Sequence, residues 1–179
     1  MLIIEKFTVD DYFILDNWIQ SEEELVQFAG PFFKFPLTIE QIEHYLGDEK
    51  RQVFKFISHD IEIPIGLAEL YSHSKEANKV ARVLIGDKSY RGKGIGTQLI
   101  HWLVEYSFQH DEKKWVILNV YDWNEAAIRC YEKVGFKRTI GTSMISKVGK
   151  KMWKAIEMKV YRDRYTRNND ASISILKNF

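Results

Sequence analysis

The chain has 179 residues, 45% hydrophobic and 14% aromatic, with 26 Lys and Arg against 25 Asp and Glu for a net charge of +1. That content excludes a disordered chain, and 10 Gly with 3 Pro exclude a collagen-like or linker-like one. Near-neutral charge argues against a general binder of nucleic acid or membrane surfaces, and the length suits a single domain, 1–179, with its own core.

Leu2 to Phe7 opens as a short apolar strand, and Thr8, Asp10 or Asp11 can cap the helix after it. Glu22-Glu23-Glu24 reads as the dipole-favoured start of a helical stretch ending near Gly30. Gly30 to Pro36 is a loop with two prolines and three aromatics. Thr38 and Gln41 form a capping box for a helix running to about Gly47. The period then turns strand-like. Gln52–Ser58, Ile63–Tyr71 and Val80–Ile85 read as three antiparallel strands, with turns at Asp60-Ile61-Glu62 and Ser72–Asn78. Gly94–Phe108 has helical spacing, Trp115–Val120 is a strand apolar on both faces, and Asn124–Lys133 is helical again. Phe136–Ile145 and Met152–Tyr161 form a last hairpin around Lys147–Lys150, and 162–179 is a polar tail of ambiguous structure. The fold class is α/β (α+β), a mixed sheet with flanking helices.

Two segments carry chemistry. The first, Arg91-Gly92-Lys93-Gly94-Ile95-Gly96-Thr97, lies between a strand and a helix. There the free N–H groups of a helix start can bind an anion, alternating glycines let the backbone close around it, and Arg91 and Lys93 add positive charge. A pyrophosphate is the natural guest. A Walker loop is excluded because Gly-x-x-x-x-Gly-Lys-Ser/Thr does not occur, and Gly-x-Gly-x-x-Gly fails because Thr97 or Leu99 stands at its last position. Arg-x-x-Gly-x-Gly, at Arg91, Gly94 and Gly96, fits. The second segment is Asn124 to Phe136. Asn124 and Tyr131 are seven residues apart, two turns of one helical face, and Gly135 can be a left-handed C-cap. Alone, Asn124 is as readily a plain N-cap and Tyr131 a core tyrosine.

Together, over Val80 to Phe136, these segments resemble the GNAT family, the Gcn5-related N-acetyltransferases. The resemblance implies a mostly antiparallel sheet of about seven strands, with the strands Val80–Ile85 and Trp115–Val120 splayed into a slot. It implies that Arg91, Gly92, Lys93, Gly94, Ile95, Gly96 and Thr97 cradle the pyrophosphate of acetyl-CoA. Leu84 and Ile85 would hold the pantetheine arm through backbone groups. Asn124 would meet the cofactor's amide region and Tyr131 its sulfur, and Asn119 is placed with the cofactor-binding positions. A neutral amine would attack the thioester in a ternary complex while Tyr131, with a phenol of ordinary pKa, protonates the leaving thiolate and an N–H near Ile85 stabilises the oxyanion. In some relatives a glutamate base lies five residues before the motif asparagine. Here that position is Asn119, which takes no proton; Glu69 is the best remaining carboxylate, and deprotonation through ordered water is equally open.

Phe28, Phe32 and Phe33 are expected to line the acceptor pocket. The acceptor is a primary amine, of a small molecule or a protein N-terminus, and the string Ala127 to Lys133 also resembles aminoglycoside 6′-N-acetyltransferases. A rival of another class is a non-catalytic acetyl-CoA-binding sensor. The histidines lack ligand spacing, so no metal is expected. The single cysteine, Cys130, permits no intramolecular disulfide and fits a cytoplasmic protein. No nucleic-acid or membrane partner is expected: no apolar run is long enough to span a bilayer, and Glu5 and Lys6 come too early for a secretory signal. Edge strands at the C-terminal hairpin would allow a homodimer.

Overall fold

A computed structural model describes residues 2–60 and 62–165 and the backbone of 175–178. Ile61 of the expected turn and 166–174 of the tail lie outside the described residues. The strands are β1 (Leu2–Lys6), β2 (Arg51–Ser58), β3 (Ile63–Ser72), β4 (Ala77–Ile85), β5 (Trp115–Tyr121), β6 (Lys137–Val148), β7 (Lys151–Tyr161) and β8 (Ile175–Asn178). The helices are α1 (Tyr12–Trp18), α2 (Glu22–Ala29), α3 (Ile39–Leu46), α4 (Ile95–His110) and α5 (Glu125–Val134). Hydrogen bonding joins the strands in the order β6-β7-β5-β4-β3-β2-β1-β8. The sheet is mixed: β1–β8 and β4–β5 are parallel, whereas β1–β2, β5–β7 and β6–β7 are antiparallel. Seven strands follow the expected order, and the eighth comes from the tail that its polar composition left ambiguous.

Two compact units share the chain. Met1–Glu69, Arg82–Arg91 and Ser172–Phe179 make the first, and Leu70–Ala81 with Gly92–Ala171 the second. In the first unit, α1–α3 follow from their caps and apolar stripes. Ser21 Oγ accepts from the Glu24 amide to start α2, and Thr38 Oγ1 from the Gln41 amide to start α3. Their inner faces supply Leu15, Leu25, Phe28, Ile42 and Tyr45 to a core shared with Phe7, Phe33, Val53 and Leu67. The segment after Thr8 begins as a 3-10 turn, Val9–Asp11, before α1, with the Thr8 amide donating to Asp11 Oδ2 at 2.9 Å.

In the second unit, β5 is buried at Val116, Ile117, Leu118 and Val120, as its continuous apolar run requires. β4 begins at Ala77, earlier than the apolar pattern indicates, because Asn78 is buried and donates to Ser107 at 2.9 Å and Asp111 at 2.6 Å. The parallel register of β4 with β5 covers Ala77–Lys79 against Trp115–Ile117. β6 carries a register shift between Arg138 and Ser143, where Gly141 has φ +84°.

Candidate active site

The sequence-predicted residues divide between the units: Leu84, Ile85, Arg91, Glu69, Phe28, Phe32 and Phe33 belong to the first, and Gly92 to Thr97, Asn119, Asn124 and Tyr131 to the second.

In the second unit the glycine turn ends where α4 begins. Gly92 has φ +76°, and Gly94, the N-cap, has φ +80°, values that side chains with a Cβ rarely adopt. The first intrahelical bond runs from the Gln98 amide to the Gly94 carbonyl at 3.1 Å, so the amides of Ile95, Gly96 and Thr97 belong to the unpaired opening of a 16-residue helix. The first turn holds no acidic residue, although that is where a solvated helix is best served by one. These features fit a pyrophosphate, with Lys93 exposed beside them.

α5 packs beside α4. Asn124 caps α5, its Oδ1 accepting from the Ala127 amide at 3.2 Å. Gly135 ends the helix with φ +104°, as expected, and the Phe136 amide returns to the Tyr131 carbonyl at 3.1 Å. Tyr131 is buried. Burial, with a smaller contribution from Cys130, pushes its phenol far above the ordinary value. The expected match to a thiolate therefore does not hold here. In this setting Tyr131 is a weaker acid than an exposed phenol. Asn119, on β5, accepts from Lys79 Nζ at 3.0 Å through its side-chain oxygen, and its amide donates to the Leu118 carbonyl.

In the first unit, the Arg91 side chain turns back so that Nε donates to the Ile85 carbonyl at 2.9 Å, tying the turn to the end of β4. Glu69 is neither solvent-facing nor open. It is 1% exposed, and its two oxygens accept from Arg51 at 2.8 Å, Arg82 at 2.6 Å and the Tyr45 hydroxyl at 2.5 Å. Two guanidinium groups and a phenol thus engage both oxygens of the carboxylate, taking three of its roughly four acceptor sites. Burial and the Glu69 charge push the Tyr45 phenol well up. Phe33 and Phe28 are core residues, whereas Phe32 is 46% exposed. Phe32 rests against Phe33 (4.9 Å between ring centres) and Tyr45 (5.8 Å), and the Arg82 guanidinium lies 4.1 Å from its ring centre. Glu69, Phe32 and Phe33 are thus brought together by Arg51, Arg82 and Tyr45, which the sequence reading missed. One signal was present: Arg82 is the sole charge inside Val80–Ile85.

Among the described residues no group of three or more His, Cys, Asp or Glu could hold a metal ion, and no helix is long and apolar enough to cross a membrane. Residues 15–136 match the acetyltransferase (GNAT) family. An aminoglycoside N(6′)-acetyltransferase type 1 of Klebsiella pneumoniae is 31% identical over 148 residues, 75% of this chain and 73% of the relative. Among solved structures, spermidine N-acetyltransferase from Vibrio cholerae in complex with CoA and spermine superposes with a TM-score of 0.76 at 18% identity, over 92% of this chain and 97% of that one. Aminoglycoside acetyltransferase AAC(6′)-Ib in complex with coenzyme A and kanamycin gives 0.70 at 24%, over 91% and 96%.

Proposed function

The chain belongs to the GNAT family of acetyltransferases, with acetyl-CoA as co-substrate, and from that premise we propose that it acetylates a primary amine of a small polyamino acceptor of the aminoglycoside class. The observation that carries the reading is the left-handed pair Gly92 and Gly94 opening α4 with free amides and no acidic residue. The acceptor class is supported by the 31% identity to the Klebsiella enzyme.

In this reading Gly92–Thr97, with Arg91 and Lys93, hold the pyrophosphate. The backbone of Leu84 and Ile85 holds the pantetheine arm, Asn124 meets its amide, and Asn119 lies beside it. The amine attacks the thioester directly in a ternary complex. An amide at Ile85 stabilises the developing oxyanion, and Tyr131 donates a hydrogen bond to the leaving sulfur. Because the phenol of Tyr131 is raised, it stabilises the thiolate by hydrogen bonding and keeps its own proton. As the C–N bond forms and the C–S bond breaks, the proton released from the attacking nitrogen passes to the thiolate, leaving the amide and the free thiol of CoA. The acceptor ammonium loses its proton to solvent before attack, since Asn119 has no basic atom and the Glu69 oxygens are engaged. Phe32, the exposed ring of the aromatic group, is the acceptor contact. We place the enzyme in the cytoplasm. The 12-residue edge strand β6, with Ile140, Met144 and Ile145 exposed, supports a homodimer.

The test is release of free CoA thiol from acetyl-CoA with aminoglycosides, polyamines and N-terminal peptides as separate acceptors. Release with aminoglycosides above the other classes supports the reading. Release with peptides alone overturns the acceptor. Binding of acetyl-CoA without release to any amine would favour the sensor.

A further inference from the structure

Arg82 stands inside β4 with φ +48°. A residue with a Cβ pays for that backbone through the clash of Cβ with the neighbouring carbonyl, and such a residue in the middle of a strand persists only where its surroundings hold it. The surroundings are those of its side chain. Arg82 Nη1 donates to Glu69 Oε2 at 2.6 Å, and the guanidinium lies 4.1 Å from the ring centre of Phe32 and 5.1 Å from that of Tyr45. Glu69 is itself held by hydrogen bonds from Arg51 and Tyr45.

Beyond Arg82, β4 runs close against β3 at Gly66. The Leu84 carbonyl passes so close to β3 that a Cβ on Gly66 would come within 2.6 Å of its oxygen and 3.1 Å of Ile85 Cδ1. The Gly86 amide then bonds the Ile65 carbonyl at 3.0 Å. A glycine on β3 thus leaves room for the path that the left-handed residue on β4 imposes. The segment so placed, Val83–Ile85, contains the backbone groups assigned above to the pantetheine arm and the oxyanion.

We infer that Arg82 is a positioning residue: its left-handed backbone, anchored through Glu69 and Phe32, sets the path of Val83–Ile85 on which acetyl-CoA is held. The inference rests on the proposed cofactor role of Leu84 and Ile85. It makes the binding of acetyl-CoA depend on the backbone conformation at position 82.

The decisive comparison is Arg82→Gly against Arg82→Val, measuring KM for acetyl-CoA and for the amine separately, with acetyl-CoA binding by calorimetry. Glycine adopts positive φ freely and valine resists it, although glycine removes more of the side chain. A residue that mattered only through packing and its ion pair would make Arg82→Gly the worse variant. The expected order is the reverse. Arg82→Val raises the acetyl-CoA KM about tenfold, and Arg82→Gly keeps it within about threefold of wild type. The amine KM shifts less in both. If Arg82→Val fails to fold, Arg82→Asn against Arg82→Thr poses the same question, because asparagine accepts the left-handed region and threonine does not. Arg82→Gly equal to or worse than Arg82→Val, or both equal to wild type, overturns the inference alone. Wild-type protein that does not bind acetyl-CoA overturns the function proposed for Leu84 and Ile85, and the inference with it.

Discussion

Thr97 Oγ1 and Cys130 Sγ meet at 3.4 Å, joining the first turn of α4 to the middle of α5. A Cβ on Gly96 would lie 3.6 Å from the same sulfur. The thiol therefore supports the helix start proposed to hold pyrophosphate. Its burial raises its pKa, outweighing the lowering by the Thr97 bond and Lys133. Cys130 should accordingly react slowly: alkylation by iodoacetamide at about pH 7.5 is expected at least about tenfold below that of a free thiol of ordinary pKa. Cys130→Leu should press on Gly96 and Thr97 and raise the acetyl-CoA KM several-fold, while Cys130→Ser leaves it within about twofold. Equal kinetics for all three proteins would remove this support role.

Tyr131 governs the alkaline side. With its phenol raised far above the ordinary value, it stays protonated through the range in which acceptor amines lose their protons. We expect kcat to show no downturn between about pH 8 and about pH 10, and Tyr131→Phe to lower kcat roughly a hundredfold with little change in acetyl-CoA KM. A downturn in that window that vanishes in Tyr131→Phe would show that the phenol ionises there.

The same shift bears on stability. Tyr45 and Tyr131 both have folded pKa values raised above the reference of 10.0. The unfolded chain therefore releases these protons first as pH rises. Their contribution is complete below about pH 10 and is lost above it. Melting temperature should hold steady to about pH 9.5 and fall beyond, and Tyr45→Phe should flatten that fall while costing about 1–3 kcal/mol at neutral pH, since Glu69 loses a buried donor. A pH-independent melting temperature through about pH 11 would contradict the assigned burial.

The two motifs were legible because each is local. Left-handed glycines, a helix opened without acids and an asparagine cap are fixed by neighbouring residues, so Gly92 to Thr97 and Asn124 to Gly135 can be read in order along the chain. Glu69 was placed on its strand correctly and given the wrong surroundings, because Arg51 and Arg82 reach it from other strands and Tyr45 from a helix, at separations no local pattern reports. For Phe28, Phe32 and Phe33 the sequence supplied only aromatics at the end of a helix and in the loop that follows it. Only packing separates the exposed Phe32 from the two that serve the core. β8 was illegible for a related reason: an added edge strand needs a partner more than a strong pattern of its own, and its partner is β1.

The acidic limb of the rate profile tests who accepts the amine's proton. With the Glu69 oxygens occupied by Arg51, Arg82 and Tyr45, loss of the ammonium proton to solvent should make kcat/KM rise with pH up to the acceptor's own pKa. Across acceptors whose amine pKa values differ by about one unit, the limb should move by about the same amount. Glu69→Gln should leave its position unchanged. A limb that is fixed across acceptors and lost in Glu69→Gln would restore Glu69 as the base.

Gly86 offers the sharpest test of packing in the first unit. It follows the last residue of β4 and lies directly against the indole of Trp18, at the end of α1. A Cβ there would fall 1.9 Å from Cδ2 and 2.1 Å from Cε2 of the ring. Trp18 also packs against the core cluster that includes Leu15 and Ile19, which limits how far its ring can withdraw. One added methyl is therefore expected to cost about 2–3 kcal/mol, at the upper end for overpacking. For a chain of this length that is a fall in melting temperature of roughly 4–12 °C. Trp18→Leu should itself destabilise by opening space, yet in its presence Gly86→Ala should cost little, because the atoms that it strikes are gone. A double-mutant cycle reads this directly, and additive effects of the two substitutions would show that Gly86 and Trp18 do not touch as described.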